Sequence, residues 1–394
     1  MSVPVNAGTT SIIGWKHSVF GKLDLPDASS LIGSVVPGAL DHAGVVPEDV
    51  DGIFVGVYNN GFSTQGFEAG LVSMAVPALA EVPATRLENA CATGSAALYA
   101  ALDFIESGRG KIALVVGAEK MTGVTSARAG EILLSGCYGP EESSVESGFA
   151  GVFAGIASAY ADRYGDPSDT LARIAAKNHH NGVTNPYAQI RKDLGFEFCS
   201  TVSERNPMVA PPLRRTDCSL ISDGAVALVV AAPDVARSAA RRVGFRARAH
   251  ANDFMALSKR DPLEFAGVRR AWSAAIEQAG INTMDLDLLE THDCFTIAEL
   301  LQYEAFGLAE RGHGRRALEE GLVAADGKLP VNRSGGLKAK GHPIGATGVS
   351  MHAIAAMQVT GDAGDMQLPA VELAGVFNMG GSAVANYASI LEAW

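Results

Sequence analysis

Apolar runs of strand length recur along the chain and alternate with longer stretches whose apolar positions fall at helical spacing. The runs are DGIFVGV (51–57), KIALVVGA (111–118), AVALVVAA (225–232), LDLLETH (286–292) and VELAGVFN (371–378). Between them, residues 92–107 read as a helix with no proline, ending at Ser107-Gly108, and another helix is expected near 148–164. Strands alternating with helices in this way predict an α/β fold, a parallel or mixed sheet covered by helices on both faces.

The pattern also repeats at long range. AGVVPEDVDGIFV at 43–55 is similar to AGINTMDLDLLET, which starts 236 residues later, and CATGSAALYAALDFIESG from 91 is similar to GATGVSMHAIAAMQVTGD from 345. Any two α/β units share some likeness, but two matches in the same order favour a duplication. Two related halves facing each other would turn corresponding loops toward a shared site, and in open α/β sheets ligands bind beyond the carboxyl ends of strands. Residues 119–216 differ in composition: EESSVESG, NHHNGVTNPYAQIRKD and NPMVAPPLRRTD are rich in Gly, Asn and Pro. The expected organisation is therefore one half from residues 1–118 plus 217–245, an inserted loop domain over 119–216 that covers the site, and a second half from 246–394.

With 394 residues, 47% of them hydrophobic, the chain can bury the core that two or three domains need. Its formal net charge of −12 argues against a nucleic-acid or anionic-membrane surface. A local patch of Lys and Arg would still suffice for a small anion. The five cysteines, at 91, 137, 199, 218 and 294, are odd in number and contain no C-x-x-C pair, so reduced thiols are expected. MSVPVNAGTTS has no signal-peptide pattern, no apolar run is long enough to span a bilayer, and the final LEAW is not a Ser-Lys-Leu address. A cytoplasmic protein is the expectation.

Four stretches carry candidate chemistry. In ENACATGSAALYAAL (88–102), Cys91 stands just before a helix. Unpaired amides and the positive helix end there stabilise a thiolate, which predicts a lowered pKa, and the same amides suit an oxyanion. The plain alternative is an inert core thiol. In NRSGGLKAKGHPIGATG (332–348), His342 lies between Gly341 and Pro343 at the approach to the second copy's helix, a position equivalent to that of Cys91. It could take the thiol proton or donate to an oxyanion. THDCFTIAEL (291–300) gathers His292, Asp293 and Cys294 at a strand end; the plain reading is that Asp293 or Thr296 caps the next helix over a buried Cys294. No second Cys/His pair stands at ligand spacing, so no metal is expected. In GVFNMGGSAVANY (375–387), Gly380 and Gly381 permit close backbone approach to a ligand, or simply a tight turn.

Taken together, NACATGSAAL, VVGAEKM, AAKNHHNGVTNPYAQIRK, LRRTDCSLISDGA, THDCFTIAEL, GGLKAKGHPIGATG and NMGGSAVANY resemble the thiolase superfamily, in particular the sterol-carrier-protein-type thiolases and their bacterial relatives, over nearly the whole chain. The resemblance implies a layered α-β-α-β-α fold of two duplicated halves. It also implies Cys91 as the acylated nucleophile and His342 as its activator, lining one oxyanion hole that His292 helps shape. Gly380 and the Cys91 amide would form a second such hole. Many thiolases carry an acid/base cysteine where this chain has Asn378; in the sterol-carrier type the His-Asp-Cys-Phe segment supplies it, which gives that role to Cys294.

The implied reaction is reversible Claisen condensation or thiolysis of a 3-ketoacyl-CoA, such as acetoacetyl-CoA. Coenzyme A serves as substrate, no cofactor is needed, and the chain works as a homodimer or homotetramer. Arg191, Arg214 and Lys259 are candidates for meeting the coenzyme's phosphates. Three rivals remain: a thiolase-like retro-aldolase acting with a partner subunit, in which the cysteines and histidine would be replaced; a condensing acyltransferase with another acceptor; and a non-catalytic lipid-thioester carrier.

Overall fold

The computed structural model describes residues 9–394, so residues 1–8, the start of both MSVPVNAGTTS and the 1–118 segment, lie outside the described part. Nine strands form the main sheet: β1 (Ser11–His17), β2 (Gly52–Gly56), β3 (Ala84–Leu87), β4 (Ile112–Glu119), β5 (Gly224–Ala231), β6 (Val243–Asn252), β7 (Leu288–Thr291), β8 (Leu373–Gly380) and β9 (Ala385–Ala393). Each of the five apolar runs read from the sequence overlaps one of them. The order is β3-β2-β4-β5-β1-β6-β9-β8-β7.

That order is a mirror image about its middle. Outward from the narrow β1–β6 junction, where only Ser11 with Gly244 and Ile12 with Val243 are paired, each half begins with antiparallel neighbours and ends with parallel ones. A parallel bridge from Leu289 to Val331 stands where the first half has β3. The duplication inferred from the sequence thus appears in the strand order.

The longer helices are α1 (Ala28–Ala43), α2 (Thr93–Glu106), α3 (Phe149–Tyr164), α4 (Ser168–Gly182), α5 (Ala266–Ala279), α6 (Thr296–Ala305) and α7 (Ile344–Thr360). Side chains alternate across a strand, so each strand of the sheet serves two cores. On β4, Leu114 and Val116 pack toward α1 while Ala113 and Val115 pack toward α2 and α7. On β8, Ala374 and Val376 face that same central pair, and Phe377 and Met379 face α5 and α6. Helix α7 is apolar and buried nearly all round, as a central layer requires. The result is five layers: α1, first half-sheet, α2 with α7, second half-sheet, α5 with α6.

The repeated Ala-Thr-Gly segments meet at the centre. A Cβ on Gly94 would lie 2.7 Å from the Val349 amide nitrogen, and one on Gly348 would collide with that of Ser95. The repeat therefore marks where α2 and α7 cross at backbone contact.

Residues between β4 and β5 make a long excursion. It contains α3, as expected, and also α4, over a stretch that reads as polar loop in the sequence. The polar residues of α4 are inside: Asn178, His179 and Asn181 are buried, with Asn178 and Asn181 hydrogen-bonded to the second half. Composition suggests solvent there, whereas tertiary partners supply the burial. No helix among the described residues is long and apolar enough to cross a membrane.

Candidate active site

The turn that presents Cys91 is built by its neighbours. Ala90 takes a left-handed backbone (φ 49°), a conformation that costs a non-glycine residue energy. Thr93 holds the turn, accepting from the Asn89 amide at 2.8 Å and donating to the Ala90 carbonyl at 2.6 Å. Cys91 ends up 7% exposed, immediately before α2. Gly380 lies against the same turn, where a Cβ would collide with the Asn89 carbonyl.

The expected low thiol pKa is corrected by this burial. Loss of water pushes Cys91 up to about 12; the Gly381 amide opposes that shift, and Glu88 adds to it. Desolvation of a full charge outweighs what one helix end offers. At rest the group is a neutral thiol that needs a base.

The two histidines are given opposite roles by their hydrogen bonds. Thr347 donates its hydroxyl proton to the Pro343 carbonyl at 2.9 Å, so at 2.7 Å it accepts from His342 Nδ1–H. His342 Nε2, buried and without a partner, therefore carries a lone pair. Asn378 Nδ2 donates to the Cys91 carbonyl at 3.2 Å and to His292 Nδ1 at 2.9 Å, which leaves the unpartnered His292 Nε2 as a donor. Ligand atoms of Cys91, His292 and His342 lie within 4.8 Å of one another. Burial, with Lys340 adding to it, lowers His342 to about 3, and burial also lowers His292, so both rings are neutral at physiological pH. A thiol, a lone pair and an N–H donor thus share one small volume. Cys91, His292 and His342 are also the one group of described residues close enough to hold a metal; such soft and borderline ligands suit zinc.

Cys294 lines the same cavity as Cys91 and His342, a space of about 200 Å³. It is 2% exposed, and burial, with the nearby Cys91 and Asp293, raises its pKa well above the ordinary thiol value. Neither Asp293 nor Thr296 caps α6. Asp293 instead accepts from the Leu337 and Lys338 amides at 2.6 and 3.3 Å and from Asn178 at 2.8 Å, while Thr296 donates to Asp217. Asp293 thereby ties the loop of His292 and Cys294 to the segment that leads to His342. The cavity wall comes largely from the excursion, through Gly130, Leu133, Phe149, Val209 and Ile221.

None of the three expected phosphate contacts lines this cavity. Arg214 is 4% exposed and committed to Asp217, Ser168 and Ser200. Its buried guanidinium holds the excursion together, which corrects its assignment as a ligand contact. Arg191 and Lys259 are exposed on the surface. Sequence reasoning also missed what Asn378 and Thr347 do. Thr347 had a signal: it is the repeat's counterpart of Thr93, and each threonine braces the turn before its helix.

Residues 5–234 match the family described as "Thiolase, N-terminal domain" and residues 247–393 the one described as "Thiolase C-terminal domain-like". The chain belongs to the thiolase family. Over 379 residues it is 36% identical to an acetyl-CoA acetyltransferase of Methanothermobacter thermautotrophicus, covering 94% of this chain and 96% of that one. It is 31% identical to sterol carrier protein 2 of Oryctolagus cuniculus over 401 residues, 97% of this chain and 70% of the other. Among solved structures, the Ltp2-ChsH2(DUF35) aldolase superposes with a TM-score of 0.82 at 23% identity, covering 98% of both chains.

Proposed function

We propose that this protein is an acyl-CoA C-acyltransferase that condenses or thiolyses 3-ketoacyl-CoA substrates such as acetoacetyl-CoA through an acyl-Cys91 intermediate. The observation that carries the reading is that Cys91, Cys294 and the His342 lone pair line one cavity, with the His292 N–H beside Cys91 and His342. His342 Nε2 takes the Cys91 proton as sulfur attacks the 3-keto carbon. The Cα–Cβ bond breaks, and Cys294 protonates the departing acetyl-CoA enolate. Coenzyme A then takes the acyl group from Cys91. In reverse, Cys91 takes acetyl from acetyl-CoA, and Cys294 removes a Cα proton from the second thioester. His292 Nε2–H and the amides of Cys91, Gly380 and Gly381 are the oxyanion donors. Two thiols are required because one is occupied by the acyl group while the other moves a proton. A homodimer or homotetramer is the form expected from the family likeness.

Incubation with acetyl-CoA followed by intact-mass measurement tests this. Wild type and Cys294→Ala should gain one acetyl group, and Cys91→Ala none. Deuterium exchange at the acetyl Cα should be lost in Cys294→Ala. An acetyl adduct persisting in Cys91→Ala would sink the assignment. The aldolase likeness offers the competing outcome, a wild-type protein that forms no acyl-enzyme at all.

A further inference from the structure

Two buried imidazoles beside Cys91 each keep one nitrogen that bonds to nothing. His292 and His342 have no hydrogen-bond partner at Nε2, and their rings stand 82° apart with centres separated by 5.1 Å. One ligand atom from each ring and the Cys91 sulfur lie within 4.8 Å of one another. His17 and His352 are buried too, but both nitrogens of each are engaged, with Ser18 and Ser350 in one case and with Gly348 and Ser389 in the other. Zinc bonds to imidazole nitrogen at about 2.0 Å and to thiolate sulfur at about 2.3 Å, so its tetrahedral ligands stand roughly 3.3–3.6 Å apart. Small rotations of the three side chains close the group to that size. The cavity of about 200 Å³ that Cys91 and His342 line is the way in. Charge around the site is mixed: Lys340 acts on both imidazoles and disfavours a second cation, whereas Glu88 and Glu119 act on Cys91 and favour one.

The two histidines are not equally ready. A metal-bound imidazole ordinarily donates its other N–H to an oxygen acceptor. His342 already does so, from Nδ1 to the Thr347 hydroxyl at 2.7 Å, with its Nε2 lone pair free. At His292 the Asn378 amide donates to Nδ1 at 2.9 Å, which keeps the proton on Nε2. Asn378 therefore opposes the third bond. It yields only by turning its carbonyl to His292, and that gives up its 3.2 Å donation to the Cys91 carbonyl and its acceptance from Ser95 at 2.7 Å.

We propose that Cys91, His342 and His292 form an inhibitory zinc site, and that Asn378 keeps it weak. Zn²⁺ binds the Cys91 sulfur, whose proton is released to solvent, and Nε2 of both imidazoles. The His292 proton passes from Nε2 to Nδ1, so each ring stays neutral and no electron is transferred. A borderline-soft divalent ion matches one thiolate with two imidazoles. Bound there, it removes the nucleophile, its base and an oxyanion donor together. The inhibition rests on the acyl-transfer reading above, whereas the binding rests on the geometry alone.

Cobalt(II) reports the binding without turnover, on the full chain with a phosphine in place of thiol reductants. Wild type should show a thiolate-to-cobalt charge-transfer band in the near ultraviolet that Zn²⁺ displaces and that Cys91→Ala lacks. No such band at saturating cobalt overturns the site. Zinc affinity, measured by competition with a chromophoric chelator, should fall at least about tenfold in Cys91→Ala and in His342→Gln. It should rise at least about tenfold in Asn378→Asp, whose carboxylate accepts from His292 Nδ1–H without turning. An affinity unchanged in Cys91→Ala places the ion elsewhere and overturns the proposal, and one unchanged in Asn378→Asp overturns the part given to Asn378. In thiolysis of acetoacetyl-CoA, zinc should inhibit and a chelator should restore the rate; full turnover at saturating zinc overturns the inhibition. A protein that gives the cobalt band yet turns over no thioester loses the acyl-transfer reading and keeps the metal site. One that turns over the thioester and gives no band loses the metal site alone.

Discussion

At the scale of single residues, Asn378 does more than replace a cysteine. Its Nδ2 bridges the Cys91 carbonyl and His292 Nδ1, and its Oδ1 accepts from Ser95 at 2.7 Å. A carbonyl oxygen can only accept, so the amide orientation is settled by Cys91, and the tautomer of His292 follows from it. Asn378→Asp conserves volume and reverses this logic: a carboxylate would accept from His292 Nδ1–H, leaving Nε2 as a lone pair. Losing one oxyanion donor costs about 100- to 1000-fold in kcat, and that is the loss expected here. Nitrogen-15 NMR of the imidazole should show the tautomer exchanged. An unchanged His292 tautomer would remove the argument whatever happened to the rate.

At the scale of elements, the crossing of α2 and α7 places the site. Cys91 stands at the start of one helix and His342 just before the other, and both helices are held at contact by glycine. Gly348→Ala would drive a methyl into the Ser95 amide, where backbone, not a flexible side chain, must give way. A destabilisation of about 1–3 kcal/mol or more is expected from such overpacking, read as a lower midpoint in urea. Gly155→Ala, on the exposed side of α3 with nothing within 4 Å, should instead be neutral or stabilising by about 0.5–1 kcal/mol. Similar midpoints for the two variants would mean that the helices do not meet as described.

At the scale of the whole molecule, titration couples folding to pH through groups buried in their neutral forms. Burial lowers His17, His179 and His342 to about 3, His352 to about 4, and His292 well below its ordinary value. Each depressed histidine stabilises the fold fully above the ordinary value near 6.5 and loses that contribution as pH falls toward its folded value. Glu119, raised to about 7, and Asp293, also raised, act oppositely between neutrality and the ordinary carboxylate range. The depressed histidines outnumber these two carboxylates, so unfolding takes up protons and stability falls as the solution is acidified. Tm should therefore drop by many degrees between pH 7 and 5. A flat profile over that range would mean the histidines are solvated. On the alkaline side, burial raises Cys91 and Cys218 to about 12, so stability should also decline above pH 9.

The sequence by itself determined five of the nine strands, the duplication and the four chemical stretches. Each is a local pattern, carried by consecutive apolar residues, by the twice-used Ala-Thr-Gly, or by a cysteine or histidine set beside glycine. Tertiary structure decided the rest, because it depends on partners far along the chain. Burial reversed the sign expected for Cys91, since desolvation is a property of everything packed around a thiol and not of the helix that follows it. The Ser168 carbonyl, 46 residues away, claimed Arg214, and the second half of the molecule turned the polar face of α4 inward. The division of labour between His292 and His342 came from Asn378 and Thr347. Only the fold brings Asn378 to His292, 86 residues away in the chain, because an imidazole's tautomer is fixed by what its other nitrogen touches.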